Sequence, residues 1–317
     1  MAGSAEKPLH VVVGASGPLG KWVVQTLLER GDVRVRAVSR SGGGEHGTEV
    51  ESVAADALDH DQIIKACEGA SVIYHTMNTP YPVWKSTLPV IMEGIVAAAE
   101  VADAKVVYGD NVYCYGKVDG PLHEDLPWAT KTKKGKVRKE VLDILMRAHH
   151  QRIIRATVGM ASDFYGPEVT NSHFGEFMIP NLLAGKAGLY LGNPDLPHSF
   201  TYIEDFARDL VTLAMDQRAD GRTWHTRLQP PARVHDLVQQ LGEMIRKPAK
   251  LNTMPPWLLA VMGIFSPMMR EIVEMLYQFR KPFIVSDSAF RETFGDTAPT
   301  SFEEGLKATL EWYRKQA

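Results

Sequence analysis

Cysteine is nearly absent from this chain of 317 residues. Cys67 and Cys114 are the only two, and they show no CxxC spacing. They cannot build a disulfide framework, so a reducing, cytoplasmic setting is expected. An excess of one charge is missing as well. Lys and Arg number 35 against 38 Asp and Glu, a net charge of -3, which gives no reason to expect nucleic acid or an anionic membrane as partner. Long apolar runs are missing too. The N-terminal segment MAGSAEKPLH has no signal core. The most apolar stretch, Trp257 to Phe265, falls far short of the roughly 20 residues that a bilayer crossing needs, and reads as buried helix or pocket wall. No HExxH, GxSxG or GxxxxGK[ST] pattern occurs. Zinc proteolysis, serine-hydrolase and P-loop chemistry are therefore excluded, and no metal site is expected.

What the chain does have is a hydrophobic content of 44% and a regular rhythm. Short apolar runs read as strands at His10–Val13, Val33–Val38, Ser52–Ala55, Ser71–Tyr74, Ala104–Tyr108 and Arg152–Val158. Between them, Pro18–Arg30, residues 61–68, Leu88–Ala102 and Lys134–His150 read as helices, with Asp59 or Asp61 starting the second. This alternation predicts an α/β fold, a doubly wound parallel (Rossmann) sheet, with a smaller, mostly helical C-terminal substrate lobe. The dinucleotide domain is placed at residues 1–165, with segments near 198–228 returning to it, and the lobe at 166–317. Leu196–Asp216 reads as strand, turn and helix, and Asp236–Arg246 and Pro255–Leu276 as helices. Thr300-Ser301-Phe302-Glu303-Glu304 reads as a capping box opening a helix to Tyr313.

The turn Gly14-Ala15-Ser16-Gly17-Pro18-Leu19-Gly20 follows the first strand and opens the first helix. In that context Gly14 makes the tight turn, Gly17 lets the backbone approach a pyrophosphate, and Gly20 lets helix pack on sheet. The phosphates then sit on the helix N-terminus. Gly14, Ser16, Gly17, Pro18, Leu19 and Gly20 are thus candidate cofactor contacts. The second strand ends in Ser39 and Arg40, where an NAD site usually offers an acidic residue to the ribose. A guanidinium suits a 2′-phosphate, so NADP is favoured over NAD. Asp56 and Ala57, after the third strand, are placed at the adenine edge, unless Asp56 merely leads the next helix.

The spaced motifs resemble the extended short-chain dehydrogenase/reductase superfamily, the group of the NAD-dependent epimerases and dehydratases. The resemblance rests on the GxxGxxG turn, Val72-Ile73-Tyr74-His75, Val106-Val107-Tyr108 with Val112-Tyr113-Cys114-Tyr115-Gly116, Asp163-Phe164-Tyr165-Gly166-Pro167, and His198 to Ala207. It implies a catalytic Ser or Thr where this chain has Asn111, and a Tyr-x-x-x-Lys pair where it has Thr132 and Lys136. Lys136 then holds the nicotinamide ribose, while a threonine hydroxyl cannot replace a phenol of pKa about 10 as proton carrier. Asn111, Tyr113, Tyr115 and Tyr165 become the catalytic candidates beside Lys136, followed by Asp110 and His75. His75 is also a cofactor contact. Each also has a plain packing role open to it. Lys133, Lys134, Arg138 and Lys139 read as a solvated helix face, and His149 and His150 as a helix end without partners.

On the substrate side, Tyr81, Trp84, Tyr113, Phe164 and Tyr165, with Trp257, Met262, Phe265, Met268 and Met269 of the lobe, suggest an aromatic pocket for an apolar or aromatic small molecule, unless these are lobe core. The resulting expectation is an NADP-dependent oxidoreductase acting on a small carbonyl or enone compound through a relocated proton donor. A non-redox epimerase, isomerase or lyase with bound dinucleotide, and a non-catalytic dinucleotide sensor, are the alternatives. The resemblance also implies a homodimer through the helices near residues 88–103 and 134–150.

Overall fold

The first apolar run forms a strand, Leu9–Val13 (β1), buried along its whole length, as a strand covered by helices on both faces must be. The computed structural model describes residues 6–43, 47–254, 264 and 267–316. Helix Pro18–Arg30 (α1) has proline at its start, where no N–H is needed, and ends at Gly31 with φ 68°. Then come Arg34–Ser39 (β2), Val50–Ala54 (β3), His60–Ala66 (α2) and Ala70–His75 (β4). The Asp59 side chain caps α2 by accepting from the Gln62 N–H. Trp84–Ala102 (α3), Lys105–Asn111 (β5), Lys133–His150 (α4) and Arg155–Ala161 (β6) complete the alternation. β6 starts three residues later than its apolar pattern implies. A turn that closes the end of α4 takes up those residues, with Arg152 at φ 60° and the Ile153 N–H bonded to the Ala148 carbonyl.

The remaining elements are Asp163–Tyr165 (β7), Ile179–Leu183 (α5), Gly188–Tyr190 (β8), Phe200–Tyr202 (β9), Ile203–Met215 (α6), Thr223–His225 (β10), Val234–Ile245 (α7), Leu251–Thr253 (β11), Pro267–Met275 (α8), Ser288–Phe294 (α9) and Phe302–Gln316 (α10). α10 opens on the expected capping box. The Ser301 hydroxyl oxygen accepts from the Glu304 N–H and the Glu304 carboxylate from the Ser301 N–H. The stretch Trp257–Phe265 lies outside the described residues apart from Ile264, and so does most of the N-terminal part of the expected helix Pro255–Leu276.

The main sheet has seven strands in the order β10-β6-β5-β4-β1-β2-β3. The pairs β3·β2, β2·β1, β1·β4 and β4·β5 are parallel. The order reverses at β1, so β1–β3 and β4–β6 form two halves, with a switch point between β1 and β4 at whose carboxyl side ligands bind in such sheets.

The chain divides into two units. The first holds residues up to Asp110, Val137–Met160 and Phe206–Trp224; the second holds Asn111–Lys136, Ala161–Asp205 and His225–Ala317. Most of α6 and of β10 lies in the first unit. Asn111–Lys136, expected in the dinucleotide domain, groups with the second unit. Its contacts explain this: Leu122 pairs with Val285, and Tyr115 bonds to His225. The second unit has its own core of Tyr165, Phe174, Tyr190, Phe200, Leu237 and Leu306 among others.

Candidate functional site

The glycine turn lies in the first unit, between β1 and α1. Each glycine can be asked why it is there. Gly14 has φ 95°, which disfavours any side chain. A Cβ on Gly20 would stand 2.2 Å from the Gly14 carbonyl oxygen, so close packing of helix on strand requires glycine. Neither reason holds for Gly17. Its φ is -80°, and a Cβ there would meet nothing nearer than 3.4 Å. The space over Gly17 is open, as a close approach of pyrophosphate needs. Gly17 is also the N-cap of α1 without a side-chain cap, and Pro18 follows it. The positive end of the helix is thus left unneutralised by any acidic first-turn residue. These residues fit a dinucleotide.

At the end of β2, the Ser39 side chain is buried and donates to the Gly43 carbonyl at 3.2 Å. Arg40 is exposed, and no described residue pairs with its guanidinium. Asp56 is exposed, but its carboxylate accepts from the Leu58 N–H at 3.0 Å. That bond makes a local turn leading into α2, the alternative weighed for it. Ala57 is buried beside it.

The carboxyl ends of β4 and β5, also in the first unit, carry a cluster that the sequence reading misjudged. Arg138, taken there as solvated, has a side chain only 4% exposed. Its Nη1 donates to the Tyr108 hydroxyl at 2.6 Å and stands 3.0 Å from the Asp110 carboxylate. Its Nη2 donates to the Asn78 side-chain oxygen at 2.9 Å, and the guanidinium lies 4.0 Å from the Trp84 ring centroid. Trp84, placed in a pocket wall by sequence, is buried under it. The reason was present in the sequence: Arg138 precedes Val141, Leu142 and Leu145 by three, four and seven residues, which puts it on the buried stripe of α4. His75 stacks on Tyr108 at 4.8 Å. Burial, aided by the Arg138 charge, pulls its imidazole down to about 3, so it is neutral. It is also only 1% exposed, which makes packing its visible role here.

The second unit holds the other catalytic candidates. The Asn111 side-chain oxygen accepts from the Tyr113 N–H at 3.0 Å, which leaves its amide N–H groups as donors. Tyr113 is half-buried. Tyr115 is buried, and its hydroxyl meets His225 Nε2 at 3.0 Å. Since His225 Nδ1 faces the Ser286 carbonyl at 3.0 Å, the Tyr115 hydroxyl is the donor. Tyr165 is buried between Phe174, Tyr202 and Phe302, and burial pushes its phenol upward. Tyr115 and Tyr165 are thus placed as packing residues. Phe164 and Tyr81 are half-buried. Trp257, Met262 and Phe265 lie outside the described residues, as do the side chains of Met268 and Met269.

Thr132 has a definite structural task. Its hydroxyl accepts from the Gly135 N–H at 3.0 Å and its carbonyl from the Lys136 N–H, so it caps α4. Lys136 itself is exposed. Lys134, expected on a solvated face, is buried and ion-paired with Glu271 and Glu274. His149, expected to lack partners, accepts from the Ala156 N–H at 3.2 Å. A further cluster went unnoticed in the sequence. His198 Nε2 meets the Asp163 carboxylate at 2.6 Å, with His173 4.9 Å from Tyr190 and edge-on to His198. Burial opposes ionisation of Asp163, yet its bond to His198 keeps it below the usual carboxylate range. Nothing in the spacing of residues 163, 173 and 198 signals this contact. Among the described residues no group of three or more His, Cys, Asp or Glu could hold a metal, and no helix is long and apolar enough to cross a membrane.

Comparison with known proteins places this geometry. A 3beta-hydroxysteroid-dehydrogenase/decarboxylase isoform 3 of Arabidopsis thaliana is 24% identical over 96% of the chain, which spans 61% of that protein's length. A UDP-N-acetyl-alpha-D-glucosaminuronate decarboxylase of Bacillus cytotoxicus is 20% identical over 96% of this chain and 97% of its own. Among solved structures, UDP-glucuronic acid 4-epimerase of Bacillus cereus, in complex with UDP-glucuronic acid and NAD, superposes with a TM-score of 0.82. It shows 18% identity and covers 98% of this chain and 100% of that one. A dTDP-glucose 4,6-dehydratase of Bacillus anthracis in complex with NAD gives 0.77, with 15% identity and 97% coverage of both chains. Both of these structures hold NAD, and the first also holds UDP-glucuronic acid. Residues 10–225 match the profile of the NAD dependent epimerase/dehydratase family, to which this chain belongs.

Proposed function

We propose that the protein is a dinucleotide-dependent enzyme that oxidises or reduces a carbinol–carbonyl centre of a small molecule. The open space over Gly17 carries the reading, because neither backbone conformation nor packing accounts for that glycine. Bound there, a nicotinamide dinucleotide supplies a reversible acceptor for hydride. Asn111 offers amide donors to the substrate oxygen. Lys136, exposed on α4, is available to a ribose hydroxyl. The proton on the substrate oxygen needs a carrier, and of the three tyrosines Tyr113 is the one not buried. It takes that role in this reading.

Two finer points follow. Arg40 supports NADP, whereas the relatives' complexes carry NAD. The first substrate class to test is a sugar nucleotide rather than the apolar compound suggested by the aromatic residues. The relatives matched over nearly their full length act on sugar nucleotides, and the hydroxysteroid enzyme is matched over 61% of its length. Titration of the protein with NAD, NADH, NADP and NADPH, followed by nicotinamide absorbance with UDP-glucuronic acid, dTDP-glucose and hydroxysteroids, tests the proposal. Absence of binding of all four up to ~1 mM would refute it. Tyr113→Phe should lower turnover by about 100-fold or more with substrate affinity little changed.

A further inference from the structure

Arg138 and Asp110 are more deeply buried than stability alone explains. Their side chains are 4% and 0% exposed. Removing two charges from water offsets most of their attraction, so a buried pair adds little over apolar side chains of the same volume. What the pair does add is geometry. The planar guanidinium reaches Asn78 beyond β4 and Tyr108 and Asp110 of β5 in fixed directions, with its face on Trp84 of α3. A lysine ammonium cannot satisfy that fork.

We infer that Arg138 and Asp110 are positioning residues for the nicotinamide half of the dinucleotide. In a sheet of this order one mononucleotide lies over β1–β3 and the other over the half that begins with β4. The glycine turn and Arg40 belong to the first half. The second half has no glycine turn of its own; its β4 and β5 ends are tied by Arg138 instead. The inference rests on the dinucleotide reading above, and acts through Asn78 and the residues following Asp110 rather than through direct contact.

The test compares two ligands on the full-length protein by calorimetry: the reduced dinucleotide it binds better, and ADP, which has no nicotinamide half, measured by displacement where needed. Arg138→Lys keeps the charge and loses the fork. Asn78→Ala cuts the tether at an exposed residue and leaves the buried pair intact, so it keeps the test valid if the first variant does not fold. The expected result for both is a rise of about tenfold or more in the dinucleotide Kd, with the ADP affinity within about threefold of wild type. Equal losses for both ligands would make the pair a support of the fold alone, and no loss for either would remove its role at the β4 and β5 ends; each overturns the inference. A wild-type protein that binds neither ligand would instead overturn the dinucleotide reading itself.

Discussion

A single methyl group separates a phosphate turn from a turn that only looks like one. At Gly17 the added carbon would meet no protein atom closer than 3.4 Å, so the folded chain alone tolerates alanine. Gly17→Ala should therefore destabilise the fold by no more than about 1 kcal/mol, the modest advantage of glycine over alanine at a helix N-cap. It should weaken NAD(P)H binding by about tenfold or more, since the methyl occupies the approach of the pyrophosphate. Calorimetric titration alongside urea unfolding separates the two, and unchanged affinity would remove the phosphate role. Arg40 is the matching test at the ribose. Arg40→Ala should lower the NADPH-to-NADH affinity ratio by about tenfold; a constant ratio would leave Arg40 a solvated charge.

Along the elements, much was readable in advance, for reasons of period. α1 begins and ends where proline, glycine and the apolar spacing place it, and β1, β2 and β4 differ from their apolar runs by a residue or so at each end. The site was less readable. Residue types at the glycine turn announce themselves, but burial of Arg138 had to be taken from the helical wheel against the ordinary habit of arginine. The Asp163–His198 contact joins residues 35 apart in sequence and leaves no periodic trace. Thr132 gains a structural task at this scale: its short hydroxyl accepts from the Gly135 N–H at the start of α4, which the distant hydroxyl of a tyrosine could not do. Thr132→Ala should cost about 1 kcal/mol of stability, and Thr132→Ser should restore most of it. Equal midpoints in urea for all three proteins would show that the cap does not hold the helix.

At the scale of the molecule, buried histidines shape its response to acid, and His225 too is held below its ordinary value by burial. Burial holds His10 at about 4, His75 at about 3 and His173 at about 4, below the ordinary histidine value. In the unfolded chain each titrates near 6.5. Above that pH all three are neutral in both states and the folded protein loses nothing. As the pH falls below about 6.5, the unfolded chain takes up protons that the folded one refuses, so stability declines until the folded values are reached. Each histidine adds up to about 1.4 kcal/mol per pH unit to the slope, and the three together approach about 4. The urea midpoint should thus be level from pH 8 to 7 and drop steeply toward pH 5, before most carboxylates titrate. His10 accounts for one share of this. Its Nδ1 meets the Tyr74 hydroxyl at 3.1 Å, and His10→Gln offers an uncharged partner for that hydroxyl. That variant should be destabilised at neutral pH yet fall off less steeply below it. An unchanged slope would show that His10 takes up a proton as readily in the fold as in the unfolded chain.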